Sequence, residues 1–180
     1  MRLGAFFFEI LPLAGFFVGF HYFGLVIAAI ASVVLAALVL TAVWVQHKYV
    51  APFPLFSVLL SAGLTLAAVW FDTAVFIKIQ PTIFNGLFAA VLLGGLLAKR
   101  AMMQVFFDKQ FHLTPPTWRL LSQRWGWFFL VLAIANEVVW RSASDAHWVS
   151  YKIFVAAPAS VLFMLAQLPL TMRGRVHRQK

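Results

Sequence analysis

The chain has 180 residues, of which 63% are hydrophobic and only 11% charged, with a mean hydropathy of +0.93. A soluble domain of this size has too little interior to hide that much apolar side chain, so the composition excludes an ordinary soluble protein and indicates an integral membrane protein. The formal net charge of +9 does not imply nucleic acid, because the basic residues are spread between apolar runs, and the absence of cysteine excludes disulfides, thiolate metal sites and thiol catalysis.

The first apolar run, 3–20, is interrupted by Glu9 and Pro12 and carries Gly15 and Gly19 at GxxxG spacing. An acid inside the run and the lack of an A-x-A-like exit argue against a cleaved leader. The pattern leaves open whether this run crosses the membrane or re-enters it. Residues 24–45 read as an uninterrupted span closed by Gln46, His47 and Lys48. The span 52–71 comes after a short turn, with Pro52 and Pro54 where a helix start tolerates them. Asp72, Thr73 and Ala74 then make a tight link into 75–97, and links this short place consecutive helices side by side and antiparallel.

The run 75–97 is the one around which the rest is organised. At about 1.5 Å per residue it is long enough to cross a hydrocarbon core of about 30 Å. Every fourth position along one side is polar or small, Lys78, Thr82, Gly86, Ala90 and Gly94, with Asn85 beside them. Lipid tails favour no polar face, so Thr82, Asn85, Gly86, Ala90 and Gly94 are expected to meet a neighbouring helix, as in small-xxx-small contacts.

The segment 99–117 breaks the hydrophobicity. Arg100, Gln104, Asp108 and His112 recur every four residues while Met102, Met103, Phe106, Phe107 and Phe111 fall largely elsewhere, which predicts an amphipathic helix on the membrane surface. Pro115 and Pro116 end it, and Thr114 can cap the next helix. Further spans are expected over 120–140 and 148–170, ahead of a basic, frayed tail at 171–180. Trp44, Trp118, Trp140 and Trp148 suit interfacial belts.

Lysines and arginines set the topology. Taken in alternate loops, Lys48, then Lys99, Arg100, Lys109, Arg119 and Arg124, then Arg173, Arg175, Arg178 and Lys180 fall on one side, and Arg141 alone falls on the other. The crowded side is cytoplasmic and carries the C-terminus. With 3–20 crossing there are six membrane segments; without it there are five. The expected fold is all-α, one integral membrane domain over 1–180, a polytopic transmembrane bundle with a cytoplasmic surface helix.

This orientation puts Lys78, Asn136, Glu137 and Lys152 at similar depth, near the outer ends of their helices. Ionisable residues in spans cost about 2.5–3.5 kcal/mol at the centre and face partners or wet cavities. A polar, anion-attracting intramembrane site open to the periplasm is therefore one reading. The plainer reading is that the lysines snorkel to the interface, which leaves Glu137 as the residue that needs a partner. No GxGxxG, Walker loop, HExxH or GxSxG motif is present, and no catalytic residue, cofactor site or metal site is expected.

FIKIQPTIFNGLFA at 76–89, LTPPTWRLLSQRWGWFF at 113–129, ANEVVWR at 135–141 and HWVSYKIF at 147–154, in this order, together with the opening FEILPLAGFF, resemble the YciB family, also called intracellular septation protein A. That family often has an aspartate where Glu9 stands, a lysine where Gln80 precedes Pro81, and a phenylalanine at the position of Tyr151. The resemblance implies a small multi-pass protein of the bacterial inner membrane with a cytoplasmic C-terminus and no established enzymatic activity. It also implies a role in envelope integrity and septation, with contacts to division and elongation membrane proteins; a bundle that binds such partners or membrane lipids is the leading expectation. The alternative, from the polar residues, is a small transporter or lipid-handling protein.

Overall fold

The computed structural model describes residues 15–48, 52–108 and 111–176. Residues 1–14 of the chain, Glu9 and Pro12 among them, together with 49–51, 109–110 and the last four residues, lie outside that range. The backbone packs as two units, residues 1–80 and 81–180, with the division inside a single helix.

The first unit begins with helical residues 15–23, here α1, succeeded by α2 (Leu25–His47) and α3 (Pro52–Trp70). Gly24 separates α1 from α2 with φ 82° and ψ 178°, a backbone conformation that is essentially restricted to glycine. Its carbonyl still accepts the Ala28 N–H at 3.1 Å, so α2 starts there and the chain reverses. α1 folds back on α2, with Gly15 facing Leu35 and Gly19 facing Ala28. A Cβ on Gly19 would stand 3.1 Å from the Ala28 Cα, so the GxxxG pair serves a close helix–helix contact, with Phe16 and Ala28 buried in it. α2 packs beside α3. Asp72, at φ 48°, turns α3 into α4 (Val75–Leu97), and a hydrogen bond from Gln80 Nε2 to Ser61 Oγ ties the start of α4 to α3.

The second unit holds the remainder of α4, then α5 (Met102–Phe107), α6 (Pro115–Ser142), α7 (Asp145–Tyr151), a π-helical turn at Lys152–Ala156, α8 (Ala157–Ala166) and α9 (Leu168–Arg173). Thr114 is extended, and Pro115 and Pro116 occupy the first positions of α6, where no intrahelical N–H is needed. Ser144 caps α7 by accepting the His147 N–H. The wide turn sits just before Pro158, which has no N–H to give the preceding turn. The Ala157 N–H bonds to the Lys152 carbonyl instead, and the helix continues beyond the proline.

The described residues contain no strand beyond one isolated antiparallel bridge, as an all-α chain requires. Among the described residues three helical stretches are long and apolar enough to cross a membrane, Leu25–Gln46, Val75–Leu97 and Asp145–Arg173, and Leu55–Trp70 is a shorter apolar helix. α6 runs for 28 residues but is more polar, carrying Arg119, Arg124, Asn136, Glu137 and Arg141.

Two expectations are corrected at the end of the unit where α6 begins. Of the surface helix expected within 99–117, α5 supplies six residues, and at 112–114, where the four-residue repeat reaches His112, the backbone is not helical. The tail expected to fray is fastened as far as Val176. One cause serves both: the Thr114 N–H donates to the Gly174 carbonyl and the Val176 N–H to the His112 carbonyl, each at 2.9 Å, around the Leu113–Arg175 bridge. Backbone at 112–114 that pairs with the tail cannot also continue a helix. Gly174 lies so close on Thr117 that a Cβ would collide with that side chain, and Leu170 packs against the buried trio Leu113, Trp118 and Leu121. The Met103 N–H, at the start of α5, is accepted by the buried Ser122 Oγ at 3.1 Å. Trp118 therefore belongs to a core and not to an interfacial belt, and Trp148 is likewise buried.

A chain ending at Arg173 is expected to exchange the Thr114 amide hydrogen rapidly, while the full chain protects it. It should also melt lower by the value of two backbone hydrogen bonds, about 1 kcal/mol each. Hydrogen exchange read by mass spectrometry compares both chains, and equal exchange at 111–114 would contradict the clasp.

Candidate functional site

At the other end of α6 the polar side chains form one connected relay. The indole N–H of Trp148 donates to Asn136 Oδ1 at 3.0 Å, and Asn136 Nδ2 donates to Thr82 Oγ1 at 2.8 Å. The Thr82 hydroxyl donates in turn to Glu137 Oε2 at 3.1 Å. The same carboxylate accepts the indole N–H of Trp140 at 2.8 Å, and its other oxygen accepts Arg141 Nε at 2.5 Å. Every donor in the series points toward Glu137, so each bond polarises the next in the same sense.

Helical spacing explains who meets whom. Trp140 and Arg141 stand three and four residues after Glu137 and share its face. Asn136, next to Glu137, is buried and joins two other helices, α4 through Thr82 and α7 through Trp148. The Arg141 side chain is 63% exposed, so its ion pair with Glu137 is a weak tether taken alone. Its guanidinium also lies 4.5 Å from the centre of the Trp140 ring.

Of the residues expected to form a polar site, Asn136 and Glu137 stand at the centre of the relay. Lys152 is the first residue of the wide turn and reaches the relay through Trp148, its Nζ 5.3 Å from the centre of that ring. Lys78 is half-buried in the first turn of α4, in the first unit. Of the residues expected to pack helices, Thr82 is a link of the relay, while Asn85 is half-buried. Ala90 and Gly94 are exposed, and a Cβ built on Gly86 or Gly94 meets no described atom within 4 Å.

The tight approach between α4 and α6 lies elsewhere, at Gly126. A Cβ there would stand 2.7 Å from the Leu93 side chain and 3.3 Å from the Leu92 Cβ. A glycine between two tryptophans in RWGWFF was the available signal for this contact. Trp140, Arg141 and Trp148 are the relay residues missed, because an indole close to a helix end reads as an interfacial anchor, and an arginine there as a topology marker, until the hydrogen-bond partner is known. No group of three or more His, Asp or Glu side chains placed to hold a metal occurs among the described residues.

Replacing Asn136 with Leu removes an acceptor from the buried Trp148 indole and a donor from the part-buried Thr82 hydroxyl. Interhelical bonds of this kind are each worth about 0.6 kcal/mol and at most about 1.7. Asn136→Leu and Trp148→Phe are each expected to lower the thermal midpoint in detergent. Their double variant should lose less than the two single losses combined, by about 0.5–1.5 kcal/mol; strict additivity would show that the bond is absent.

The names of similar proteins agree with helices apolar enough to cross a membrane. The sequence profile of the family described as intracellular septation protein A matches residues 5–177. A Bradyrhizobium protein (strain BTAi1) named inner membrane-spanning protein YciB is 42% identical over 167 residues, covering 92% of this chain and 82% of its own length. Proteins of the same name from Sinorhizobium fredii and Nitrobacter hamburgensis are 38% and 40% identical, covering 87% and 92% of this chain and 71% and 83% of their own lengths. No solved structure matches. With nearly its whole length matched by the profile and by relatives this similar, the chain belongs to the intracellular septation protein A family, the YciB proteins of the inner membrane.

Proposed function

We propose that the protein is a non-enzymatic scaffold of the inner membrane that contributes to envelope integrity and septation by binding other membrane proteins or lipids. The observation that carries this reading is a division of labour along α4. Its polar Thr82 is used up inside the molecule by the relay, whereas along the row Gly86, Ala90 and Gly94 a Cβ built on either glycine meets no described atom within 4 Å and Ala90 is exposed. A row of that kind admits a partner helix at short range. On this reading α6 also crosses the membrane, its polar residues satisfied by the relay, the molecule makes five or six crossings, and the tail clasp faces the cytoplasm. Division and elongation membrane proteins are the partner class that the resemblance suggests.

A second reading, a transporter or lipid-handling protein with an anion-attracting site on the periplasmic side, draws on the wide turn that begins at Lys152, since such turns are frequent at functional sites.

Cells separate the two. A photo-crosslinking residue at Ala90 is expected to capture a membrane protein, and Gly86→Leu with Gly94→Leu to lose septation function while stability changes by less than about 0.5 kcal/mol, since neither added side chain meets a described atom at its Cβ. If those variants behave as wild type, and a chain with Lys78→Gln, Glu137→Gln and Lys152→Gln inserts normally yet fails in cells, the transport reading replaces the scaffold.

A further inference from the structure

Between the last turns of α4 and the first turns of α6 lies an open-sided groove of about 760 Å3, walled by Leu93, Leu96, Leu97, Leu120 and Trp127. Its polar lining is Arg119 and Gln123. A second groove of about 440 Å3 runs along the other side of the same ridge, walled by Phe128, Val131 and Phe163, with Arg124 as its basic residue. Leu120, Gln123 and Trp127 belong to both walls, so the two channels are separated by one row of α6 side chains. Two neighbouring apolar channels, each with an arginine on its border, match a molecule with two hydrocarbon chains and one negative head.

We propose that the paired grooves flanking the Leu120, Gln123 and Trp127 ridge form a binding site for one anionic phospholipid, its acyl chains straddling the ridge and its phosphate on Arg119. Charge favours that occupant. Between residues 93 and 127 stand Lys99, Arg100, Lys109, Arg119 and Arg124 against the single acid Asp108. Lys99 and Arg100 are exposed and come directly after the α4 turn that lines the larger groove. Arg124 is held by Gln167 Oε1 at 3.2 Å, while Arg119 is exposed and makes no ion pair among the described residues, leaving its guanidinium available for bidentate contact with a phosphate. Basic side chains at the cytoplasmic ends of membrane helices attract anionic heads by about 1 kcal/mol each, roughly five-fold in affinity. The proposal deepens the lipid-binding side of the scaffold reading, but it depends on no role in septation and is tested on purified protein.

The test is native mass spectrometry of the full chain released from nanodiscs of equal phosphatidylglycerol and phosphatidylethanolamine. Wild-type protein should retain one phosphatidylglycerol in about five-fold preference. Arg119→Gln should abolish that preference, Arg119→Lys should keep part of it, and Arg173→Gln should leave it intact. Leu96→Trp, which fills the larger groove, should reduce retention of both lipids alike. Equal retention of the two lipids by the wild type, an undiminished preference in Arg119→Gln, or displacement of the lipid by millimolar inorganic phosphate would overturn the proposal. Because the readout is headgroup selectivity, a negative result leaves the proposed septation role standing, and a septation defect in cells says nothing about the grooves.

Discussion

Hydrocarbon supplies neither donors nor acceptors, and that constraint shapes the end of the molecule where α4, α6 and α7 meet. Asn136, Glu137 and Thr82 would each be costly facing acyl chains. Joined to the indoles of Trp140 and Trp148, they have partners of their own, and the helices that carry them are held in one arrangement. Single bonds of this type contribute about 0.6 kcal/mol on average, so the relay acts less as a source of stability than as a means of selection. Any rotation of α6 that turned Asn136 away from Trp148 would strand two polar groups at once.

α6 is consequently secured at both ends by different means. Near Ser142 the fastening is side chain to side chain. Near Pro115 it is backbone to backbone, through the Leu113–Arg175 bridge, supported by Gly174 on Thr117 and by Leu170 on the small core around Trp118. Between the two, Gly126 lets α6 settle against Leu92 and Leu93 of α4. A helix too polar to count among the readily membrane-crossing segments thus becomes the strut of its unit. The π-helical turn at Lys152–Ala156 accommodates Pro158 within the partner helix and keeps Lys152 beside Trp148.

Much of this is legible in the residues. The expected span 75–97 coincides with α4, and 24–45 falls within two residues of α2, because long apolar runs bounded by turn-forming residues are determined locally. Glu137 reads as the acid that needs a partner, since its short side chain cannot reach the interface. What escapes is long-range. A backbone bridge between residues 113 and 175 leaves no signature in side-chain type, so His112 completes a helical pattern that the hydrogen bonds of 112–114 to the tail overrule. Tryptophan is ambiguous in the same way: Trp44 is more than half exposed, as an interfacial residue is, while Trp118 and Trp148 are buried, and only their neighbours decide which. Small residues repeated every fourth position predict close contact along α4, yet between α4 and α6 it is Gly126, with no repeat around it, that presses one helix on the other.

The native chain has no cysteine, so an engineered pair reports without background. The most direct measurement of the central claim is the oxidation rate of a Thr82→Cys, Asn136→Cys chain in native membranes, compared with an Ile83→Cys, Val138→Cys chain whose two positions are both exposed. The account predicts that the first pair joins rapidly, alone or through a short bifunctional reagent, and that the second does not. Equal rates for the two pairs, or joining of the exposed pair alone, would mean that α6 turns its polar face elsewhere and would contradict the relay.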